Sequence, residues 1–355
     1  MSEIKVNSIK GTGASTAAIT IDSSAGTCTA NITNNLSNRN LIINGAMQVS
    51  QCATTSTANG YGSVDRFRCS FSAVSENPTQ SQVDVSSGTT PYTLGFRKAF
   101  KIQNGNQTTT HGNSNIRLMY RVESQDVANS GWNYLSSSSY VTLSFWIKAS
   151  VSQNYYGFLL NEDTTQNVYP FETGSLTANT WTKITKTIPG NSNLTFNNDT
   201  GAGLRVSVYG YLGTDLTSSS MSLNSWTTYD GSNFTPDNTS TWFTTNDATL
   251  EFTGFQLELG SVATDFEHRS FAQELALCQR YYQTGFAKVY NSNQPINVMS
   301  QNFMPEMRAA PTITGEQFGS ETNAIWSSIE VTTSRACAFY KNGEICQRWK
   351  CDAEI

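Results

Sequence analysis

The sequence holds only two histidines, His111 and His268, and neither stands at a metal-ligating spacing or beside a cysteine pair. No Gly-x-Ser-x-Gly elbow, phosphate-binding loop or dinucleotide fingerprint occurs. Carboxylates are what remains, because two of them suffice for glycoside hydrolysis and can come together from distant positions. Glu162, Asp163, Glu251 and Glu258 are the residues to consider. Surface solvation is the commoner fate of such side chains, so the chain is read as non-enzymatic, with no catalytic residue, cofactor or metal assigned.

A second chemistry follows from alternation. Val141, Leu143, Phe145, Ile147 and Ala149 alternate with Thr142, Ser144, Trp146, Lys148 and Ser150, which is the period of a half-buried strand. If the first set faces a core, Trp146 faces away from it. The same logic sends Arg117 and Arg121 outward beside Ile116, Leu118, Tyr120 and Val122. It sends Arg205, Tyr209 and Tyr211 outward beside Leu204, Val206 and Val208, and Gln256 and Glu258 outward beside Phe255 and Leu257. Aromatic rings next to guanidinium, amide and carboxylate groups suit a sugar, whose C–H face stacks on a ring while its hydroxyls meet forked polar groups. They suit a neighbouring protomer equally well, since interfaces are enriched in Tyr, Trp and Arg. Packing beneath a helix or another layer is the third reading.

Strands must carry these residues, and the composition supplies them. The 355 residues include 45 Thr, 43 Ser and 33 Asn, about a third of the chain, yet aromatics reach 11% where a solvated linker would have few. Only 14% are charged, which excludes a coiled coil and points to an all-β protein of many short strands. Turn clusters such as Asn104-Gly105-Asn106, Pro189-Gly190-Asn191 and Asp230-Gly231-Ser232 separate the strand patterns between residues 40 and 269, as in two packed antiparallel sheets. Ser270 and Gln273 form a capping box for one helix, expected over Phe271 to Tyr282 with Phe271, Leu275, Cys278 and Tyr282 along its buried stripe. Residues 284–355 return to strand patterns, and Asn342-Gly343 predicts a type I′ hairpin from Cys337 to Arg348. In that register Lys341 faces Glu344, Phe339 faces Cys346 and Cys337 faces Arg348. With Phe303, Met304, Met307, Pro311, Trp326, Phe339, Tyr340 and Trp349, this unit is too small to bury its apolar groups alone. It is expected to pack on the sandwich or to trimerise.

Residues 1–39 differ from the rest. Their isolated apolar residues Ile4, Val6, Ile9, Ile19 and Ile21 are too few for a core, so the segment is expected to be an arm that orders against symmetry mates or another protein. Short strands are plausible where Ile4 alternates with Val6 and Ile19 with Ile21. A net charge of -5 gives no basic field for nucleic acid or an anionic membrane. No apolar run approaches the about 20 residues that span a bilayer, and residues 1–10 lack the apolar core of a signal peptide. The seven cysteines include no Cys-x-x-Cys and are read as reduced thiols of a protein made in a cytoplasm.

Three stretches in order, Asn40-Leu41-Ile42-Ile43-Asn44-Gly45-Ala46-Met47, Ser144-Phe145-Trp146-Ile147-Lys148-Ala149-Ser150, and Trp181-Thr182-Lys183 before Ile188-Pro189-Gly190, resemble the jelly-roll carbohydrate-binding modules of polysaccharide hydrolases. The stretch Phe252 to Ser261, then Ala263-Thr264-Asp265-Phe266-Glu267 and the helix ending Leu277-Cys278-Gln279-Arg280-Tyr281-Tyr282, is similar to one branch, the tail-fibre and related virion proteins of bacteriophages, cyanophages especially. Ile4-Lys5-Val6-Asn7-Ser8-Ile9 is similar to the start of such proteins. The resemblance implies a virion component, usually a homotrimer, with a sugar-binding style of sandwich. In the hydrolase-linked modules the first strand continues from Asn-Gly into an aromatic and a calcium-holding Glu, whereas Met47 and Gln48 stand here. A neutral amide is a poorer ligand for a hard cation, so the calcium site is not carried over.

Together these readings give an all-β chain. Residues 1–39 are an attachment arm to other virion proteins of the tail, collar or capsid, and residues 40–269 a jelly-roll sandwich. Residues 270–283 are a linking helix and residues 284–355 a small C-terminal β domain. The expected function is a trimeric tail fibre or fibre-like appendage with host-surface glycan as a candidate ligand. The alternative is a purely structural adaptor or decoration protein.

Overall fold

The structure, a computed structural model, describes residues 8–9, 12, 19–22, 27–30, 38–289, 297–317, 328–341 and 345–355. Strands β1 (Ser8–Ile9), β2 (Ile19–Asp22) and β3 (Thr27–Ala30) pair antiparallel in sequence order. Ile9, Ile19 and Ile21 thus lie on strands, while Ile4 and Val6 lie outside the described residues.

The body is a jelly-roll β-sandwich of two six-stranded sheets. Its strands are β4 (Thr55–Ser56), β5 (Arg68–Ser72), β6 (Thr79–Asp84), β7 (Lys98–Gln103), β8 (Asn115–Glu123), β9 (Tyr140–Ala149), β10 (Asn154–Asn161), β11 (Asn167–Ser175), β12 (Thr182–Pro189), β13 (Ala202–Leu212), β14 (Thr227–Thr228) and β15 (Thr249–Leu259). One sheet has the order β14-β11-β10-β13-β8-β5 and the other β12-β9-β15-β7-β6-β4. The chain passes between the sheets from β5 to β6, β7 to β8, β8 to β9 and β9 to β10, so these connections bridge the two layers. Short helices α1 (Thr90–Thr93) and α2 (Ser124–Ala128) interrupt the strands, where the sequence pattern had predicted no helix before Ser270.

Alternation decides what the sandwich buries. Val141, Leu143, Phe145 and Ile147 are all 0% exposed, and Phe145 stacks on Phe255 with ring centroids 4.6 Å apart. From the facing sheet Ile116, Leu118, Val206 and Val208 enter the same cluster. Truncating a ring in such a core costs about 3–5 kcal/mol. The motif Asn40 to Met47 is part of this frame. Asn40 Oδ1 accepts from Leu257 N at 3.0 Å and Gly45 O accepts from Phe255 N at 3.0 Å, while Ile42 and Met47 enter the core. A Cβ on Gly45 would collide with Phe255 O, so only glycine passes there.

Among the β-bulges of the sandwich, two bear on the predicted residues. One lies between Thr253 and Gln256 of β15, at Gly254 with φ of 66°. The other lies between Tyr209 and Tyr211 of β13. Beyond it Tyr211 pairs with the core residue Ile116 and stacks on Phe243 at 4.2 Å. The expectation that Tyr211 faces outward is therefore corrected, since a one-residue slip turns a side chain to the other face.

Helix α3 runs Phe271–Gln279 with the capping box present, Ser270 Oγ accepting from Gln273 N and Gln273 Oε1 accepting from Ser270 N. It is shorter than expected, because Tyr282 already begins the next strand. Its buried residues are Glu274 and Cys278, whereas Phe271 is 55% exposed, so the predicted stripe is corrected at its first and last members.

Six strands follow: β16 (Tyr282–Val289), β17 (Asn297–Asn302), β18 (Thr312–Gln317), β19 (Ser328–Thr332), β20 (Ala336–Lys341) and β21 (Ile345–Asp352). They form two sheets of order β16-β21-β18 and β17-β20-β19. The predicted Cys337 to Arg348 hairpin is thus wrong. Each of β20 and β21 already has a neighbour on both sides, which leaves no open edge for them to pair. Cys337 pairs with Gln301 and Thr332, and Arg348 with Phe286 and Glu316. Phe303, Met307, Cys337, Trp349 and Cys351 fill the space between the sheets.

This C-terminal unit packs on the sandwich. Arg280 Nε and Nη2 donate to Glu123 at 2.9 Å each, and Arg308 Nη1 donates to Thr200 O at 2.7 Å. Arg66, 1% exposed, stacks on Tyr281 at 3.4 Å and ion-pairs with Glu354. Burial pushes the Glu354 carboxyl up to about 7 and that of Asp65 up to about 6. No helix among the described residues is long and apolar enough to cross a membrane.

Candidate binding face on the sandwich

The outward positions of the β14-β11-β10-β13-β8-β5 sheet assemble most of the predicted residues. On β8 these are Arg117, Met119 and Arg121; on β13 they are Arg205, Ser207 and Tyr209. Cross-strand register sets Arg205 opposite Arg121, Ser207 opposite Met119 and Tyr209 opposite Arg117. Strand β5 adds Arg68 opposite Met119 and Ser70 opposite Arg117, and β10 adds Phe158 and Leu160 on the other flank.

One acid answers this row of bases. Glu162, just after β10, accepts from Arg121 Nε at 2.7 Å and Nη2 at 3.2 Å, and lies 3.5 Å from Arg205 Nε. Burial works against the Arg121 charge, but the hydrogen bond and charge of Glu162 together with Tyr61 outweigh it and hold that guanidinium above its usual range. At Arg205 burial wins and the pKa falls despite Glu162. Burial also lowers the Arg68 guanidinium, and the charges of Arg121 and Arg117 push it the same way.

Arg117 Nη1 donates to Tyr209 Oη at 2.9 Å. The Phe234 ring lies between two cations, 5.7 Å from the Arg117 guanidinium and 5.9 Å from that of Arg205. Phe234 belongs to the connection between β13 and β15. With Leu212, Met221 and Tyr229 this connection packs over Phe158, Leu160, Val168 and Tyr209, so half of the face is plugged by apolar groups and the other half carries the arginines. Tyr209 is 2% exposed, which leaves its ring no room to stack on a sugar.

The remaining predicted residues are on the other sheet. Trp146 does leave the core, but it packs half-buried beside Ala46, Phe96, Trp181 and Phe266. Gln256 and Glu258 are 0% and 1% exposed. Gln256 Nε2 donates to Glu258 Oε1 at 2.8 Å, Thr264 N donates to the same oxygen at 2.9 Å, and Arg39 ion-pairs with the carboxylate at 3.4 Å. The expectation that these three line a ligand face with the arginines is corrected: segments 38–46 and 261–268 cover them.

The four carboxylates have separate partners. Glu162 serves Arg121 and Arg205, Asp163 accepts from Ser124 Oγ at 2.6 Å, and Glu251 pairs with Lys148 at 2.7 Å. Glu258 is sealed on the opposite sheet. In the segment after Gly45, Met47 O and Gln48 O accept from Gln82 Nε2, at 2.7 and 3.2 Å. No group of three or more His, Cys, Asp or Glu that could hold a metal occurs among the described residues. His268 packs tilted against Phe96 and edge-on against Phe266.

Sequence reasoning missed Arg68 and Phe234. The signal for Arg68 was present, because Cys69 and Phe71 face the core and alternation then sends Arg68 and Ser70 outward. Phe234 had none, since a loop residue follows no period.

No protein-family model matches the chain, and no curated protein does. Among solved structures it is similar to a CBM4 structure at 13% identity, over 61% of this chain and 98% of that one, with a TM-score of 0.31. It is similar to TmCBM61 in complex with β-1,4-galactotriose at 11% identity, over 62% and 98%, with a TM-score of 0.29. It is also similar to the enzymatically active domain of tailspike protein 4 of bacteriophage CBA120 at 9% identity, with a TM-score of 0.32. That match covers 62% of this chain and spans 21% of the tailspike chain.

Proposed function

We propose that the chain is a non-enzymatic bacteriophage virion protein, a trimeric tail fibre or fibre-like appendage joined to the particle through residues 1–39. The arginine-bearing face of its sandwich binds host-surface glycan. The observation that carries the reading is the row Arg68, Arg117, Arg121 and Arg205 with Glu162, set by cross-strand register into one array of forked donors and an acceptor. The order of sequence motifs from Asn40 to Tyr282 supports the virion setting.

Affinity is consistent with repetition. A shallow millimolar site is worth about 4 kcal/mol, too little to hold a particle, and three copies per fibre raise avidity without new contacts. Light scattering tests the trimer, and a monomeric mass would overturn it. A glycan array probed with the trimer is expected to give binding. Its absence would leave the purely structural adaptor, a reading favoured by the sealing of Gln256 and Glu258 inside the chain. Deleting residues 1–39 is expected to abolish incorporation into particles. Release of reducing ends from host polysaccharide would overturn the non-enzymatic assignment.

A further inference from the structure

The arginine half of the face, where Arg68, Arg117 and Arg121 are half-buried, is charged opposite to the molecule as a whole. The chain carries -5 at neutral pH, yet here four guanidiniums stand against the single carboxylate of Glu162. Among the described residues neither Arg68 nor Arg117 has a carboxylate within ion-pair distance. Arg68 reaches only Asn59 Oδ1 at 3.4 Å, and Arg117 reaches Tyr209.

The cluster is also short of acceptors. The Nε atoms of Arg68, Arg117 and Arg205 and the Oγ of Ser207 are buried without a hydrogen-bond partner, and Arg205 itself is 8% exposed. Desolvated like charges are costly unless an opposite charge compensates them, and Arg121 directly opposite Arg205 is an unfavourable pair that Glu162 alone relieves. Arg117 and Arg121 are four residues apart on one strand, a span of about 13 Å, longer than one small ion. The guanidinium fork matches the two oxygens of a carboxylate or a sulfate ester.

We infer that this face binds an acidic polysaccharide, one whose sugars carry carboxylate or sulfate groups, rather than a neutral glycan. The inference rests on the glycan-binding reading above and narrows its ligand.

Affinity electrophoresis of the full chain tests it in gels containing polygalacturonate, dextran sulfate, neutral dextran or DNA. Polygalacturonate presents carboxylates and dextran sulfate presents sulfates, so these two gels separate the sources of the oxyanion. At least one of them is expected to bind about tenfold more tightly than dextran. The double variant Arg68→Gln, Arg117→Gln is expected to lose about a hundredfold, since each charged hydrogen bond is worth about a factor of ten. Both residues lie outside the Glu162 ion pairs, and retention of thermal stability in the variant confirms that it folds. Arg97→Gln, exposed at the end of α1 on the other sheet, is expected to bind as the parent does. Dextran binding equal to that of the acidic polymers, unchanged in the double variant, would overturn the acidic assignment and leave glycan binding standing. Binding to none of the polysaccharides would overturn both. Equal retardation by DNA would overturn the inference in favour of unselective attraction of polyanions.

Discussion

The two outer faces of the sandwich are built alike and end differently. Each presents polar and aromatic residues at every second position of its strands, at Trp146, Gln256 and Glu258 on one sheet and at Arg117, Arg121 and Arg205 on the other. On the first sheet, segments 38–46 and 261–268 turn those residues into an inner polar layer. On the second, the connection between β13 and β15 packs over part of the face, and Arg68, Arg117 and Arg121 stay half-buried while Arg205 is buried. Alternation therefore tells which side chains leave a core, and the connections decide which of them reach solvent.

Substitutions on the two faces should separate stability from binding. The largest effect is expected at Glu258→Ala, which strands Arg39, Gln256 and Thr264 around a buried vacancy; the cost is about 3–5 kcal/mol in denaturant unfolding. A change under about 1 kcal/mol would mean that this face is open like its counterpart. Trp146→Ala is expected to cost about 2 kcal/mol by lost burial and to leave glycan binding unchanged. Impaired binding without destabilisation would make the indole a ligand platform after all.

A smaller effect is expected where the C-terminal unit meets the sandwich. Asp65 and Glu354 keep their protons to about 6 and about 7 in the folded chain, above their ordinary range, chiefly through burial. The folded state thus binds protons more tightly than the unfolded one, and the stability these groups contribute is present in acid and lost as pH rises through 6 to 7. Hydrogen exchange in β21 should be slower near pH 5 than near pH 8 once corrected for intrinsic rates, and Glu354→Gln should flatten the difference. An unchanged slope in that variant would place the titration elsewhere. The smallest stability change, about 1 kcal/mol, is expected for Arg117→Gln, which takes the partner from the buried Tyr209 hydroxyl.

Much of this frame was legible in the sequence because its signals are local. Nine residues of strict alternation gave β9, and Ser270 with Gln273 gave the start of α3. What escaped depended on distant partners. Tyr211 turned inward because the bulge at Gly210 admits the Trp242 ring, where a Cβ would approach it to 2.5 Å. Asn342-Gly343 reads as a hairpin turn, but the choice of neighbours for β20 and β21 belongs to strands far along the chain. Arg66 gave no sign that it would lie buried between Tyr120 and Tyr281, since its acid, Glu354, comes 288 positions later. Of the site, the outward set on β8 and β13 was legible; the covering of β15 was not.

Phe234 reaches the arginines from a connection and not from the pleated frame. How much of the arginine row lies covered is therefore set by that connection, so exchanging the stretch would change which guanidiniums a ligand meets while every rung of the underlying ladder stayed in place.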